Sequence, residues 1–468
     1  MNYQEALTYL YNIAPPFHDV GAKAYKPGLE TMQKLMAAID SRRSSHPTAP
    51  ACGGPATFDC PVIHVAGTNG KGSTSHLIAA ALAAAGMRVG LYTSPHLVSF
   101  CERVRVIERE ETGKGQSAIR PRLIPEAYVA EFVGSNKSLF EQLQPSFFEI
   151  TTAMAFCWLR EQKVDVAVIE VGLGGLLDAT NIVSPCLTVI TNIGYDHTDL
   201  LGHTLAEIAE QKAGIMKPGV PCVIGESNPE TQSVFLRRAE ECGILGEGLE
   251  TTDCKIWFAD ECEFLRRQRL RVAPECELKG DYQQKNMQTA FVALKAVSRQ
   301  LPAISNQAIA GGFAHVVRYT GLRGRWEVLS LAPKVICDTG HNSHGIATYV
   351  EQLRQLTAQP TANPSLLTAN RYLHIVFGIV ADKDVDAVLR LLPEEATYYF
   401  TQPNSHRALP AEELLGKWKV LHPMSKATAY KTVNEALTSA HAAATQEDVI
   451  FIGGSNYVVG EAMKYYDN

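Results

Sequence analysis

The sequence predicts an α/β fold in two parts: a doubly wound parallel sheet over the N-terminal two thirds, then a smaller α/β unit. Three observations predict it. Short β-branched runs, each closed by glycine, asparagine or threonine, recur along the chain and read as parallel strands buried on both faces. Helical segments alternate with them. A chain of 468 residues with 46% apolar composition exceeds what one hydrophobic core organises, so two domains are expected.

The expected strands of the first domain are Val62 to Val65, Arg88 to Tyr92, Val164 to Val171, Leu187 to Asn192 and Pro221 to Gly225. Between them lie helices at Thr74 to Ala85, stopped by Gly86, at Ser146 to Lys163, and at Leu205 to Met216, ended by Lys217-Pro218-Gly219. Ser41 to Cys60 and Leu356 to Asn370 are rich in small and turn-forming residues and read as surface loops. A fresh alternation starts at Val335 to Asp338 and continues through Leu373 to Gly378, Thr397 to Thr401 and Val449 to Gly453. The boundary therefore falls near 320, giving an N-terminal domain 1–317, a linker or hinge at 318–326 and a C-terminal domain 327–468.

Bulk properties narrow the function. With 43 basic and 49 acidic residues, net charge −6, no nucleic-acid partner is indicated. Met1 to Leu10 carries Asn2, Gln4 and Glu5 where a signal peptide needs basic and then apolar residues, and the longest apolar stretch, near Leu77 to Ala85, is too short to span a bilayer. A cytoplasmic monomer without membrane partners is the expectation. Eleven cysteines without any C-x-x-C pair suit reduced thiols.

Chemistry concentrates at residues 62 to 74, Val-Ile-His-Val-Ala-Gly-Thr-Asn-Gly-Lys-Gly-Ser-Thr. An apolar strand runs into a glycine loop and then an alanine-rich helix. Gly67, Gly70 and Gly72 allow successive N–H groups to turn inward on an anion at the helix N-terminus. Lys71 adds a point charge, and Ser73 or Thr74 an oxygen for phosphate or Mg²⁺. The common nucleotide pattern would place glycine at Val65 and a hydroxyl at Gly72, so this loop is tighter than usual. An ordinary glycine-rich turn is the alternative; the flanking strand and helix favour an ATP or GTP site, and the first domain reads as a P-loop ATPase domain with a Rossmann-like second domain.

Further residues fall at the carboxyl ends of the strands, where such sheets collect ligands. Ser94 ends a strand in Thr93-Ser94-Pro95-His96. Glu170 closes a very apolar run, where an unpaired carboxylate is costly, and so wants a cation, with Mg²⁺ beside ATP the simplest; an exposed or Arg-paired glutamate is the alternative. A second glycine turn, Gly172 to Asn181, lacks the third glycine of a dinucleotide fingerprint at Leu177. His197 follows in Asn192-Ile-Gly-Tyr-Asp-His197-Thr-Asp. Lys212, near a helix end, reads by composition as a solvated or helix-terminal charge.

These motifs, Gly-Thr-Asn-Gly-Lys-Gly-Ser, Thr-Ser-Pro-His, Glu-Val-Gly-Leu-Gly-Gly-x-x-Asp-Ala-Thr-Asn, Asn-Ile-Gly-x-Asp-His-Thr and Lys-Ala-Gly-Ile, occur in the order found in folylpolyglutamate and dihydrofolate synthases. The likeness continues through Asn286, Gly324-Arg325, Asp338-Thr-Gly-His341-Asn-Ser-His344, Phe377-Gly-Ile-Val-Ala-Asp-Lys383-Asp and Gly453-Gly-Ser-Asn-Tyr. The chain thus resembles the folate branch of the Mur ligase superfamily over nearly its whole length.

The resemblance implies an ATP-dependent amide ligase that joins L-glutamate to dihydropteroate, to tetrahydrofolates, or to both, through an acyl phosphate. It assigns Gly67, Thr68, Asn69, Gly70, Lys71, Gly72, Ser73 and Thr74, with Asn286, Arg325, Asp338 and His341, to ATP. Ser94 and Glu170 would hold one Mg²⁺, and Glu170 with His197 a second. Lys212 matches the family's carbamylated lysine, which reverses its bland reading because carbamylation needs a neutral amine. Lys71, Lys212, Arg325 and His341 are the catalytic candidates, and His341 or His344 would orient phosphate or accept the amine proton. Ser146, Phe148 and Asp178 fall at the dihydropteroate pocket. The chain departs from the family at Leu176, usually arginine, and at Asp338-Thr-Gly-His-Asn-Ser-His344, usually Asp-Gly-Ala-His-Asn-Pro-His. The alternatives are a Mur-type ligase for another carboxylate and a P-loop small-molecule kinase.

Overall fold

The computed structural model describes residues 1–24, 26–44, 58–111, 117–244, 256–262, 275–298, 300–301, 304–358 and 372–467. Most of the two expected surface loops, together with Cys52 and Cys254, lies outside the described residues. The chain divides into two compact units, one of Met1–His96, Phe100–Glu277 and Gln283–Leu322, the other of Leu97–Ser99, Leu278–Tyr282 and Arg323–Asn468.

The first unit is built on eight strands: β1 (Val62–Ala66), β2 (Val89–Tyr92), β3 (Val104–Glu111), β4 (Ser117–Leu123), β5 (Val166–Glu170), β6 (Leu187–Ile190), β7 (Cys222–Ile224) and β8 (Ile256–Phe258). Their spatial order is β4-β3-β2-β5-β1-β6-β7-β8. The strands from β2 to β8 pair in parallel, and β3 and β4 add an antiparallel edge. Strands β1, β2, β5 and β6 are buried on both faces, which is why they read as continuous apolar runs. The β3–β4 hairpin was not expected, because Arg, Glu and Pro occupy its outer half and break the apolar signal.

Helices cover both faces. Tyr3–Ile13, Glu30–Ser44, Glu126–Leu143 and Phe147–Glu161 supply one core with Tyr92, Phe140, Phe156 and Trp158. Leu205–Ala213 and Pro229–Glu241 pack with β6 and β7 around Phe235 and Ile224. The alanine-rich helix Lys71–Ala84 is almost wholly buried. Its small side chains admit a close crossing by the helix Asn306–Ala314, where a Cβ on Gly312 would stand 2.4 Å from Ala81 Cα.

Several boundaries differ from the sequence expectation. The loop helix starts at Lys71 rather than Thr74, because left-handed Gly70 is its N-cap. The strand expected to reach Asn192 stops at Ile190, since Thr191 and Asn192 turn to bind the glycine loop. The helix expected to run to Met216 ends at Ala213. The segments read as loops from Ser41 and from Leu356 begin inside the helices Glu30–Ser44 and Ser343–Ala358.

The second unit carries six strands, β9 (Glu327–Leu331), β10 (Lys334–Cys337), β11 (Leu373–Phe377), β12 (Thr397–Thr401), β13 (Ala427–Tyr430) and β14 (Val449–Gly453), ordered β13-β12-β11-β14-β10-β9. All neighbours are parallel except β9 with β10. Tyr349, Phe377, Tyr398, Phe400 and Trp418 fill one side of this sheet, and Val433, Leu437, Ile450 and Val459 the other. No helix among the described residues is long and apolar enough to cross a membrane.

Candidate active site

In the first unit the glycine loop leaves β1 and is held by the ends of β6. Thr68 N donates to Asn192 O at 3.0 Å, Asn69 N to Asn192 Oδ1 at 2.9 Å, and Thr191 Oγ1 to Asn69 O at 2.5 Å. The glycines are required by contact as well as by backbone angle. At Gly67, φ +145°, a Cβ would stand 1.9 Å from Thr191 Oγ1; at Gly70, φ +80°, one would stand 2.2 Å from Asn286 Oδ1. Asn286 is buried on the helix Gln283–Val297 and donates to Gln283 Oε1, and Gln283 in turn donates to Ser73 Oγ at 3.2 Å. Ser73 and Thr74 are buried in the first turn of the loop helix.

Lys71 folds back over its own loop, donating to the carbonyls of Gly67 at 2.9 Å and Thr68 at 3.1 Å. Lys212 is only 3% exposed, and its Nζ donates to the same Gly67 carbonyl at 3.1 Å. The solvated reading of Lys212 is therefore overturned. Burial, reinforced by the charge of Lys71, lowers its amine to about 7. Its helix is fixed from the other side by the second glycine turn: Leu176 N donates to Gln211 O at 2.7 Å, and a Cβ on Gly175 would meet the same carbonyl.

Glu170, 4% exposed, ends β5 beside β1, in register with Val65. One of its oxygens accepts from Ser94 N at 3.1 Å, which sets the Ser94 segment against the carboxylate. His197 caps the short helix Thr198–Leu201 in a left-handed conformation, its ring edge-on to Phe17 and its Nε2 3.8 Å from Asp196 Oδ1. Among the described residues no three His, Cys, Asp or Glu side chains form a ready-made cage. The donor set of carboxylate, hydroxyl and imidazole suits a hard divalent cation that completes its shell from substrate and water.

Beside this edge, Tyr92 stacks on Phe148 with ring centroids 6.0 Å apart, and Phe148 lies against Gly172, where a Cβ would be 2.4 Å from the ring. Ser146 caps the helix Phe147–Glu161 in a reciprocal box with Glu149. Asp178 is buried, and burial raises its carboxyl above the usual range. It accepts from Leu173 N, Thr180 N and Thr180 Oγ1, so it also holds the glycine turn in shape. Leu176, in place of the expected arginine, is 41% exposed.

In the second unit Asp338 follows β10, is buried, and accepts from Tyr282 Oη at 2.6 Å, Trp326 N at 2.8 Å and Gly340 N at 2.8 Å. Arg325 donates to Thr339 Oγ1 and Gly324 O, and His341 Nδ1 lies 2.9 Å from Thr339 O. Residues with clear site contacts that the sequence reading left without roles are Thr191, Asn192 and Gln283. Asn192 opens the Asn-Ile-Gly-x-Asp-His motif and was findable there; Thr191 and Gln283 carry no local signal.

The comparisons with known proteins converge. The model of the Mur ligase middle domain matches residues 127–294, and that of the Mur ligase glutamate ligase domain matches 324–456. The chain is 35% identical to folylpolyglutamate synthase of Lacticaseibacillus casei over 363 residues, 74% of this chain and 78% of that protein. It is 34% identical to dihydrofolate synthase/folylpolyglutamate synthase of Escherichia coli (strain K12) over 421 residues, 88% and 87% of the two chains. A solved bifunctional folylpolyglutamate synthase/dihydrofolate synthase from Yersinia pestis, complexed with AMPPNP and Mn ion, covers 100% of this chain and 98% of its own, with a TM-score of 0.73 and 28% identity. Two matched domains and this degree of identity along both halves establish that the chain belongs to the folylpolyglutamate synthase/dihydrofolate synthase family of Mur ligases.

Proposed function

We propose that the protein is an ATP-dependent carbon–nitrogen ligase that adds L-glutamate to dihydropteroate, to the γ-carboxylate of tetrahydrofolates, or to both. The observation that carries the reading is Lys212, a buried amine hydrogen-bonded to the carbonyl of the phosphate loop. A kinase using this loop has no need of it. In the proposed ligase the neutral amine would take up CO₂ as a carbamate and release a proton, adding a carboxylate at the phosphate loop.

An amide cannot form from a free carboxylate in water, because oxide is not a leaving group. The acceptor carboxylate therefore attacks the γ-phosphoryl group of ATP, giving an acyl phosphate and ADP. The amino group of glutamate then attacks the acyl carbon, loses a proton, and phosphate departs. The loop N–H groups and Lys71 hold the phosphates, with Asn286 against Gly70 and with Arg325, Asp338 and His341 as further candidates for ATP. A pair of Mg²⁺ ions, one on Ser94 and Glu170 and one on Glu170 and His197, would offset charge on the transferring oxygens. Phe148 supplies a face for the pterin, with Ser146 and Asp178 beside it. The nine described cysteines are free thiols, consistent with a reducing cytoplasm.

The test is mass balance. Phosphate release should require ATP, glutamate and a pteroate or folate acceptor together. Release that ignores glutamate, or a phosphorylated acceptor as final product, would refute the ligase reading. Assays with dihydropteroate and with tetrahydrofolate separate one activity from two.

A further inference from the structure

Two arginines of the first unit, Arg103 and Arg105, are buried, Arg105 with its Nη1 donating to Thr93 Oγ1 at 3.2 Å, and both contrast with the part-buried Arg160. Arg160, on the helix Phe147–Glu161, forks onto Asp40 with Nη1 and Nη2 at 3.3 and 2.6 Å from its two oxygens. That is a closed, part-buried ion pair. Arg103, 3% exposed, closes the short turn Phe100–Arg103 ahead of β3. Its Nε donates to His96 Nδ1 at 2.9 Å, and its guanidinium lies over Phe147 and Phe100, 5.3 and 6.0 Å from the ring centroids. Among the described residues it closes no salt bridge, although the charges of Glu102 and Glu170 act on it. Burying a guanidinium without an anion is costly, and cation–π contact offsets only part of that cost.

Beyond the Nε contact with His96 and the flanking rings, the guanidinium keeps its Nη1/Nη2 edge. His96 pins the Nε side, the aromatic rings hold the plane, and Nη1 and Nη2 are the edge that matches a planar carboxylate. The position is also specific. Phe147 is flanked by Ser146 and Phe148, and Phe148 stacks with Tyr92. The carbonyl of Arg103 accepts from Thr93 N at 2.9 Å, next to Ser94, whose N–H is on Glu170. Arg103 therefore links the aromatic cluster of Phe147, Phe148 and Tyr92 to the strand edge that carries Ser94 and Glu170.

We propose that Arg103 is an acceptor-binding residue, recognising the carboxylate of the pteroate-type acceptor with its Nη1/Nη2 fork; this rests on the ligase reading above. Uncharged analogues would leave the buried guanidinium without an anion and bind poorly. Lysine at this position would keep the charge but lose the fork.

The experiment is a cross between ligand and residue. Dissociation constants of dihydropteroate and of its carboxamide are measured, with AMPPNP and Mg²⁺ present, for wild type, Arg103→Lys and Arg103→Met, alongside melting temperature and AMPPNP affinity. The acid should bind wild type at least about tenfold tighter than the amide. That preference should shrink in Arg103→Lys and vanish in Arg103→Met, with AMPPNP affinity unchanged. Equal binding of acid and amide by wild type overturns the proposal whether or not the variants fold, as does an undiminished preference in a folded Arg103→Met. Failure of wild type to bind either ligand refutes the pteroate acceptor itself, a different failure from equal binding of both.

Discussion

Lys71 and Lys212 donate to the same carbonyl oxygen, that of Gly67, at 2.9 and 3.1 Å, although they are 141 positions apart in sequence. Lys212 is buried, and burial, with the charge of Lys71 nearby, lowers its pKa to about 7. Its amine is thereby kept nucleophilic at neutral pH, as the proposed carbamate requires. Lys212→Ala should lower kcat by at least about a hundredfold, equivalent to roughly 3 kcal/mol of transition-state stabilisation. Short carboxylic acids added to the assay should restore part of the loss in Lys212→Ala and none in the bulkier, permanently charged Lys212→Arg. Full activity in unsupplemented Lys212→Ala would remove the carbamate from the mechanism.

The phosphate loop makes a second test possible because its glycines can be compared with one elsewhere that has the same backbone sign and no crowding. Gly70 has φ +80° and Asn286 Oδ1 at 2.2 Å from its would-be Cβ, whereas Gly86, φ +93°, has nothing within 4 Å. Gly86→Ala should cost only the backbone term, about 1–2 kcal/mol of stability, with ATP affinity unchanged. Gly70→Ala adds displacement of Asn286 and of the loop N–H groups, so AMPPNP affinity by calorimetry should fall at least about tenfold. Similar nucleotide affinities for the two variants would mean that the loop tolerates a side chain its geometry excludes.

What could be read in advance follows from where the information sits. Strands β1, β2, β5 and β6 are buried on both faces, so composition alone marks them. The loop is a local spacing. The capping box of Asn2 with Glu5 at the first helix is equally local. By contrast, the link from His64 to Thr180 spans 116 positions and that from Gln283 to Ser73 spans 210. Nothing near either residue announces such a partner. The burial of Lys212 belongs to the same class: helical periodicity near a terminus suggests solvent, and only the packing of Gly172 to Asn181 over that helix removes it.

Glu170 gives a test of cation binding that spares the fold. Glu170→Gln keeps the shape and an oxygen for Ser94 N, while removing the charge. The Mg²⁺ or Mn²⁺ concentration for half-maximal activity should rise at least about tenfold, because a neutral amide is a much weaker ligand for a hard divalent ion than a carboxylate. An unchanged metal titration would place the cation elsewhere.

His64 makes stability depend on pH. It sits in the middle of β1, fully buried, with Nε2 2.8 Å from Thr180 Oγ1. Thr180 gives its own proton to Asp178 Oδ1 at 2.5 Å, so it must accept from His64, which places a proton on Nε2. Burial, with a contribution from Lys217, lowers the ring to about 3. The unfolded chain binds a proton near the ordinary value of about 6.5, so between those limits it holds more protons than the native state. Stability from this group is therefore complete above about pH 6.5 and is lost as pH falls toward 3. Between pH 7.5 and 5 the loss should be about 2 kcal/mol, in a window where His64→Gln contributes none. Urea unfolding of wild type and His64→Gln at both pH values checks this. The difference between the two proteins should narrow by that amount at pH 5, and a constant difference would mean that His64 is not held neutral in the native core.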